Sequence, residues 1–393
     1  MDEKGLKTLL YNNGHVFYIT SAFPPVPGGS CVLNQNLLKA FDPESFTVVT
    51  IDSPLNKVEV EKTIKVERVL YSKPELGKYN YWLMRLQIRN AIRKVKSLAK
   101  EKNVKLIIGA YPNLIMLKIA YEVAKQLKIP FVAYLHDTIA ESLAGSPQQK
   151  LSSKVQSDVF THSRKIFVMS EGMEDLYRKK YSLETIALQH TYMESIPTEV
   201  PIPKVDKIFW GGAVYDINKN AIRTIAKISE RLQWEFELAT NTSKGNLETF
   251  GIIGNTVKIT FYSSRTEYLA AVKDSSILLL ALDSPNQTRV HEDEISTIFP
   301  TKTPEYLAAG IPILVLCPSH YFLARFFKKY SCGLVVDPKD YEGIEKAILL
   351  LRSRPVEIVD MQKNALNVAR TVFGLKQVAD KLKVQLESIP EKS

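Results

Sequence analysis

The densest group of chemically useful side chains runs from Phe299 to Val315, Phe-Pro-Thr-Lys-Thr-Pro-Glu-Tyr-Leu-Ala-Ala-Gly-Ile-Pro-Ile-Leu-Val. Thr303 reads as a helix N-cap and Pro304 as the first helical residue, where its missing N–H costs nothing. Gly310 then closes the helix and Pro312 opens a buried strand. Such a helix start turns free N–H groups and a positive dipole end toward an anion, a phosphate above all. Lys302 adds a point charge suited to a diphosphate, or is a solvated surface lysine. Glu305 either complements the helix dipole, for about 0.3–1 kcal/mol, or accepts hydrogen bonds from paired hydroxyls.

Two glycine pairs allow close backbone approach to a ligand. Gly211-Gly212 stands in Phe209-Trp-Gly-Gly-Ala-Val-Tyr-Asp-Ile-Asn-Lys219, and Lys219 supplies a second cation. Gly28-Gly29-Ser30 precedes an apolar helix and forms either an ordinary strand-to-helix turn or an N–H cradle for an anion or sugar. His136-Asp137 follows an apolar run; His136 is either a structural hydrogen-bonding residue or a ligand contact, and Asp137 is placed to orient it or to cap the next turn. Glu141 is a polar neighbour, and Ser170 reads as a helix cap. Glu292-Asp293-Glu294 reads as a solvated charge cluster in a loop.

These residues need strands to end beside them. Short β-branched and aromatic runs alternate with helical patterns, the signature of parallel α/β layers. In the first half the expected strands are His15–Thr20, Phe46–Ile51, Lys105–Ala110, Phe131–Leu135 and Lys165–Met169. The expected helices there are Ser30–Ala40, Leu83–Lys100 and Leu114–Leu127. Pro197, Pro201 and Pro203 mark an interdomain hinge. A second series follows: Lys207–Trp210, Glu235–Ala239, Val257–Tyr262, Ile277–Leu282, Pro312–Leu316 and Leu334–Val336. The division expected is a first domain over 1–190, a hinge over 191–204, a second domain over 205–370, and a C-terminal helix and tail over 371–393. Periodicity does not say where the last helix, about Lys376–Leu386, packs. Two open α/β sheets predict a ligand cleft between domains at the carboxyl ends of their strands.

At 393 residues the chain is long enough for two domains. Its three cysteines, Cys31, Cys317 and Cys332, are too few and scattered for a disulfide framework. The formal charge of +10 points to an anionic partner: nucleic acid, anionic lipid or a phosphorylated small molecule. No zinc finger, RNA-recognition sheet motif or helix-turn-helix signature speaks for nucleic acid, which is not expected as a partner. The polar start, Met1-Asp2-Glu3-Lys4, does not read as a secretory leader, so the expected place is the cytoplasm, including the cytosolic face of a membrane. Arg85, Arg89, Arg93, Lys96 and Lys100 recur on one helical face. Ile88, Ile92, Val95 and Ala99 lie beside it, and Tyr79, Tyr81 and Trp82 lead in. The pattern suits contact with an anionic bilayer, or a surface helix whose apolar side covers a sheet.

The order Pro300, Lys302, Glu305, Tyr306, Leu307, Ala308, Gly310, Pro312, Ile313 resembles the donor-site signature of GT-B glycosyltransferases, specifically the retaining family GT4. The resemblance implies two Rossmann-like domains and transfer of a sugar from a UDP- or GDP-sugar to a glycan or lipid-linked acceptor in cell-surface polysaccharide or glycolipid assembly. It implies that Glu305 binds the ribose, that His136 faces the transferred sugar, and that the Pro–Pro–Gly–Gly loop lines the acceptor side. It also implies retention by same-face attack, with the leaving phosphate accepting the acceptor's proton. No Asp-x-Asp motif stands at a strand end, so neither cofactor nor divalent metal is expected to be required. The sequence departs from the pattern at Thr297, where many relatives carry a second Glu, and in lacking the arginine that often follows a glycine at the start of the second domain. These departures keep open the alternative of a catalytically inactive relative that binds a glycan or a partner.

Overall fold

A computed structural model describes residues 14–26, 28–52, 64–71, 81–202 and 205–390. Tyr79, Pro203 and the side chains of Tyr81 and Trp82 lie outside the described residues. The chain divides into two compact units, one of Met1–Met193 with Leu375–Ser393, the other of Glu194–Gly374.

The first unit is a seven-stranded sheet in the order β3-β2-β1-β4-β5-β6-β7. Its strands are β1 (His15–Thr20), β2 (Phe46–Asp52), β3 (Val66–Tyr71), β4 (Val104–Tyr111), β5 (Phe131–Leu135), β6 (Lys165–Val168) and β7 (Ile186–Ala187), all paired in parallel. Strands β1, β4 and β5 are nearly continuous apolar runs because helices cover both faces: Phe17, Ile19, Ile107 and Val132 are wholly buried. Strand β3 escapes the sequence reading because it is an edge strand, half-buried, with Glu67 and Arg68 interrupting its alternation. Strand β7, two residues long, carries too little pattern to register.

Helix boundaries follow local chemistry. Asn113 caps the helix Leu114–Leu127 by accepting from the N–H groups of Ile115 and Met116. Ser170 caps Glu171–Tyr181 through the N–H of Met173, as its position suggests. The last helix, Leu375–Glu387, returns to the first unit and buries Val378, Ala379, Leu382 and Leu386 in that unit's core.

The second unit is a six-stranded parallel sheet, ordered β10-β9-β8-β11-β12-β13. Its strands are β8 (Lys207–Gly211), β9 (Glu235–Ala239), β10 (Val257–Thr260), β11 (Ile277–Ala281), β12 (Ile313–Leu316) and β13 (Leu334–Val336). Strand order reverses between β1 and β4 in the first sheet and between β8 and β11 in the second, the places where open α/β sheets leave crevices at strand ends. Gly310 takes the left-handed conformation, φ 67°, that ends the helix Thr303–Ala309, and its carbonyl accepts from Gln362 Nε2 at 2.6 Å.

Leu382→Ala is expected to destabilise the first unit by about 2–5 kcal/mol, since it opens a cavity beneath a returning helix. Urea unfolding followed by signals from each unit checks this; an unchanged first-unit transition would mean that the helix is not part of that core.

Candidate functional site

Strand β8 ends in Trp210-Gly211-Gly212, and the glycines are required there by what lies against them. The Gly211 N–H donates to the Tyr306 hydroxyl at 2.9 Å, and a Cβ on Gly211 would collide with the ring of Tyr268. Gly212 stands at φ 127°, its N–H donates to the Ala239 carbonyl at 2.8 Å, and a Cβ there would lie 3.3 Å from Lys302 Nζ. The backbone at the end of β8 therefore runs directly beside the Lys302 ammonium group. That group sits 3.0 Å from the centroid of the buried Trp210 ring. Burial pushes its pKa well below the ordinary lysine value, with Glu305 pulling the other way.

Lys302, not Thr303, occupies the N-cap position of the seven-residue helix, and no side chain caps it. The turn starts earlier than the sequence suggests because Lys302 is already in a helical conformation and the Thr303 N–H donates back to Pro300. Thr303 is the first helical residue; its hydroxyl is buried without a hydrogen-bond partner among the described residues.

Glu305 does more than complement a dipole. Its side chain is only 15% exposed and accepts from Arg265 Nη1 at 2.7 Å, while Arg265 Nε donates to Glu194. Burial raises the Glu305 pKa against the opposing pull of Arg265, and Glu194 adds to the rise. Arg265 is held above its usual value: burial works against its charge, but the two carboxylates outweigh that. The sequence reading missed Arg265 and Tyr268. Ser264 marks the helix Arg265–Lys273 as a cap, but Glu305 lies 40 positions from Arg265, beyond any local pattern.

Lys219 opens the helix Lys219–Leu232, and its ammonium is bound to Asp216 Oδ1 at 2.6 Å. Asp216 also accepts from the Thr288 hydroxyl at 2.8 Å and the Arg289 N–H at 2.6 Å. Burial alone would raise the Asp216 pKa; these donors and the Lys219 charge overcome it and lower it to about 2. First-turn N–H groups of the same helix, from Asn220 and Ala221, go to the buried Asp283 carboxylate at 3.0 and 2.8 Å. The anion that this helix start attracts is thus supplied from within the chain. Thr297 is buried and its hydroxyl donates to the Glu294 carbonyl at 2.9 Å. Glu292-Asp293-Glu294 is not a loop: it forms the one-turn helix Glu292–Ile295, with Glu292 3.1 Å from His320 Nε2.

In the first unit, His136 stands at the carboxyl end of β5, buried, with the Tyr134 ring edge-on at 4.6 Å. Neither ring nitrogen has a partner among the described residues, so Asp137 does not orient the imidazole. Burial, and then the nearby His190, lower its pKa to about 3, which leaves a neutral ring at physiological pH. Glu141 Oε1 accepts from the Tyr181 hydroxyl at 2.5 Å and lies 3.1 Å from Lys180 Nζ, while Oε2 is buried without a hydrogen-bond partner among the described residues. Gly28, at φ 139°, is the N-cap of the helix Gly29–Leu38; Gly28 and Gly29 are exposed and Ser30 is half-buried.

The basic face of the helix Tyr81–Glu101 points to solvent at Arg85, Arg89, Arg93 and Lys100, while Lys96 is half-buried and donates to Gln126 at 2.8 Å. Its apolar side is spent on the core: Val95 and Ala99 are buried, and Ile88 and Ile92 pack against them. Among the described residues no helix is long and apolar enough to cross a membrane.

No protein-family model and no curated protein matches the chain. Solved structures do resemble it. A sucrose-phosphate synthase from Thermosynechococcus elongatus superposes with a TM-score of 0.70 at 14% identity, over 94% of this chain and 97% of that one. Anabaena HepE in complex with UDP-glucose gives 0.71 at 14% identity, over 95% and 99%. An E. coli trehalose-6-phosphate structure bound with UDP-2-fluoro glucose gives 0.62 at 13%, over 96% and 100%. At such identities the likeness is one of fold, and the two parallel α/β sheets are those of the GT-B glycosyltransferase structures.

Asp216→Asn is expected to lower the melting temperature at neutral pH. A carboxylate with a depressed folded pKa stabilises fully above its unfolded pKa of about 4 and loses that contribution as pH falls through about 2. The gap between variant and wild type should therefore close on acidification over that window; a gap independent of pH would mean that the charge plays no part.

Proposed function

We propose that this chain is a retaining glycosyltransferase that binds a nucleotide sugar, UDP-linked before GDP-linked, and passes the sugar to a glycan or lipid-linked acceptor in cell-surface polysaccharide or glycolipid assembly. The observation that carries the reading is the convergence of Lys302, Glu305 and the Gly211-Gly212 backbone at the carboxyl end of β8, where the strand order reverses. The likeness in fold to structures solved with UDP-glucose and UDP-2-fluoro glucose supports the donor class.

In this reading the Lys302 ammonium and backbone N–H groups neutralise the leaving diphosphate, without requiring a divalent metal. Glu305, steadied by Arg265, accepts hydrogen bonds from the ribose hydroxyls. The bond from the anomeric carbon to the diphosphate oxygen breaks as the acceptor oxygen bonds to that carbon on the same face. The acceptor's proton passes to the departing phosphate. His136, neutral and unpartnered, has one N–H to donate and one nitrogen to accept toward a sugar hydroxyl. The protein's contribution is placement and charge stabilisation.

The competing reading, a binding protein without transfer, is favoured by one observation: Lys219 is already neutralised by Asp216, so it brings no free charge to a diphosphate. One experiment separates the two. Incubation with labelled UDP- and GDP-sugars should release nucleotide, and Glu305→Ala should lower kcat/KM by roughly 10²-fold. Binding without release would support the competing reading, a fully active Glu305→Ala protein would remove the site assignment, and an inverted product by NMR would remove the retaining mechanism.

The reading includes contact with an anionic membrane surface on the cytosolic side. Because the apolar side of Tyr81–Glu101 is buried, the attraction is electrostatic, through Arg85, Arg89, Arg93, Lys96 and Lys100. Liposome co-sedimentation should increase with the fraction of anionic lipid and weaken with salt. Reversing the five charges should abolish it, and sedimentation indifferent to lipid charge would rule this contact out.

A further inference from the structure

Charges around the Thr303–Ala309 helix are sorted in a way its sequence does not require. Lys302 and Glu305 lie three positions apart, a spacing at which a lysine and a glutamate on a helix ordinarily pair. Here they do not pair: Glu305 is held by Arg265 at 2.7 Å, and Lys302 rests on the Trp210 ring, its Nζ 3.0 Å from the centroid. No carboxylate among the described residues lies within ion-pairing distance of Lys302. The ring that receives it is fixed on its own account. Trp210 is buried in the core of the second unit, and its Nε1–H donates to the Gly212 carbonyl at 3.1 Å. The same residue thus orients the ring and the glycine beside which the ammonium lies.

We propose that Trp210 is a positioning residue for Lys302: its indole face keeps the ammonium off Glu305, so that the site presents a cation which only an incoming anion neutralises. The inference rests on the donor-site reading and deepens it, since the ligand class it selects is the diphosphate of a nucleotide. A ring face attracts a cation through its quadrupole without consuming its charge, so the contact holds the ammonium in place and yields it to a stronger partner. A carboxylate in the same place would have to be displaced by the diphosphate. Burial lowers the Lys302 pKa and Glu305, which is not in contact, opposes this from a distance; a diphosphate arriving against the ammonium would favour its charged form further.

Two measurements test this. In protein labelled with ¹³C at lysine Cε, the Lys302 signal, identified by its loss in Lys302→Gln, should be shifted upfield by the indole ring current. It should move toward the ordinary lysine position when UDP is added. A Lys302 signal at the ordinary position in the free protein would overturn the proposal whatever the protein binds. Calorimetry with UDP then gives a double-mutant cycle. Trp210→Leu should weaken binding about 3- to 30-fold in the wild-type background, Trp210→Phe much less, and Trp210→Leu should add nothing in the Lys302→Gln background. An equal loss in both backgrounds would show that Trp210 acts only as core packing. A shifted Lys302 signal in a protein that binds no nucleotide would leave the contact standing and remove the donor-site reading instead.

Discussion

The second unit is organised around the close passage of one strand end beneath one cation. Gly211 and Gly212 let β8 run under Tyr268 and Lys302: a side chain at Gly211 would enter space filled by the Tyr268 ring, and Gly212 holds a φ of 127° that side chains disfavour, close against Lys302. Trp210 precedes them and turns its ring to the ammonium, while Tyr306 hydrogen-bonds back to Gly211. Four constraints of packing, hydrogen bonding and charge thus meet within three residues. A strand end that served only to begin a loop would not need such close approach.

Elsewhere the charged groups are largely met from within the chain, although several buried hydroxyls and one oxygen of Glu141 lack hydrogen-bond partners among the described residues. Asp283 occupies the first turn of the Lys219–Leu232 helix, Asp216 holds Lys219 and a neighbouring loop, and Glu141 is held by Tyr181 and Lys180. Polar groups without partners therefore carry information, because leaving one buried costs free energy. His136, with both ring nitrogens unsatisfied, stands at a strand end in the first sheet, and Lys302, with no carboxylate against it, stands beside one in the second. Each is a chemical invitation from a different sheet: a neutral imidazole suited to hydroxyls, and a cation suited to an anion.

Much of the scaffold was legible because buried parallel strands announce themselves as apolar runs. Strands β1, β5, β9 and β13 coincide with the runs read from the sequence, and Leu114–Leu127 with the helical pattern there. Each failure has its own physical cause. Edge strand β3 is half-exposed and charged, β7 is two residues long, and the cap before Pro304 falls on Lys302 because backbone conformation overrode side-chain preference. The last helix showed its amphipathic stripe but not its destination, since a stripe records that a face is buried and not against what.

The sequence by itself determined the two α/β series, the helix stop at Gly310, the glycine pairs, and the presence of Lys302 and Glu305 beside a buried strand. Those features depend on local conformation and periodicity, which neighbours along the chain settle. Tertiary structure alone decided the partners: Arg265 for Glu305, Trp210 for Lys302, Asp216 for Lys219, and none among the described residues for His136. Electrostatic and ring contacts act through space over a few ångströms. Which charges meet is therefore set by how strands and helices pack, however far apart they stand in the chain.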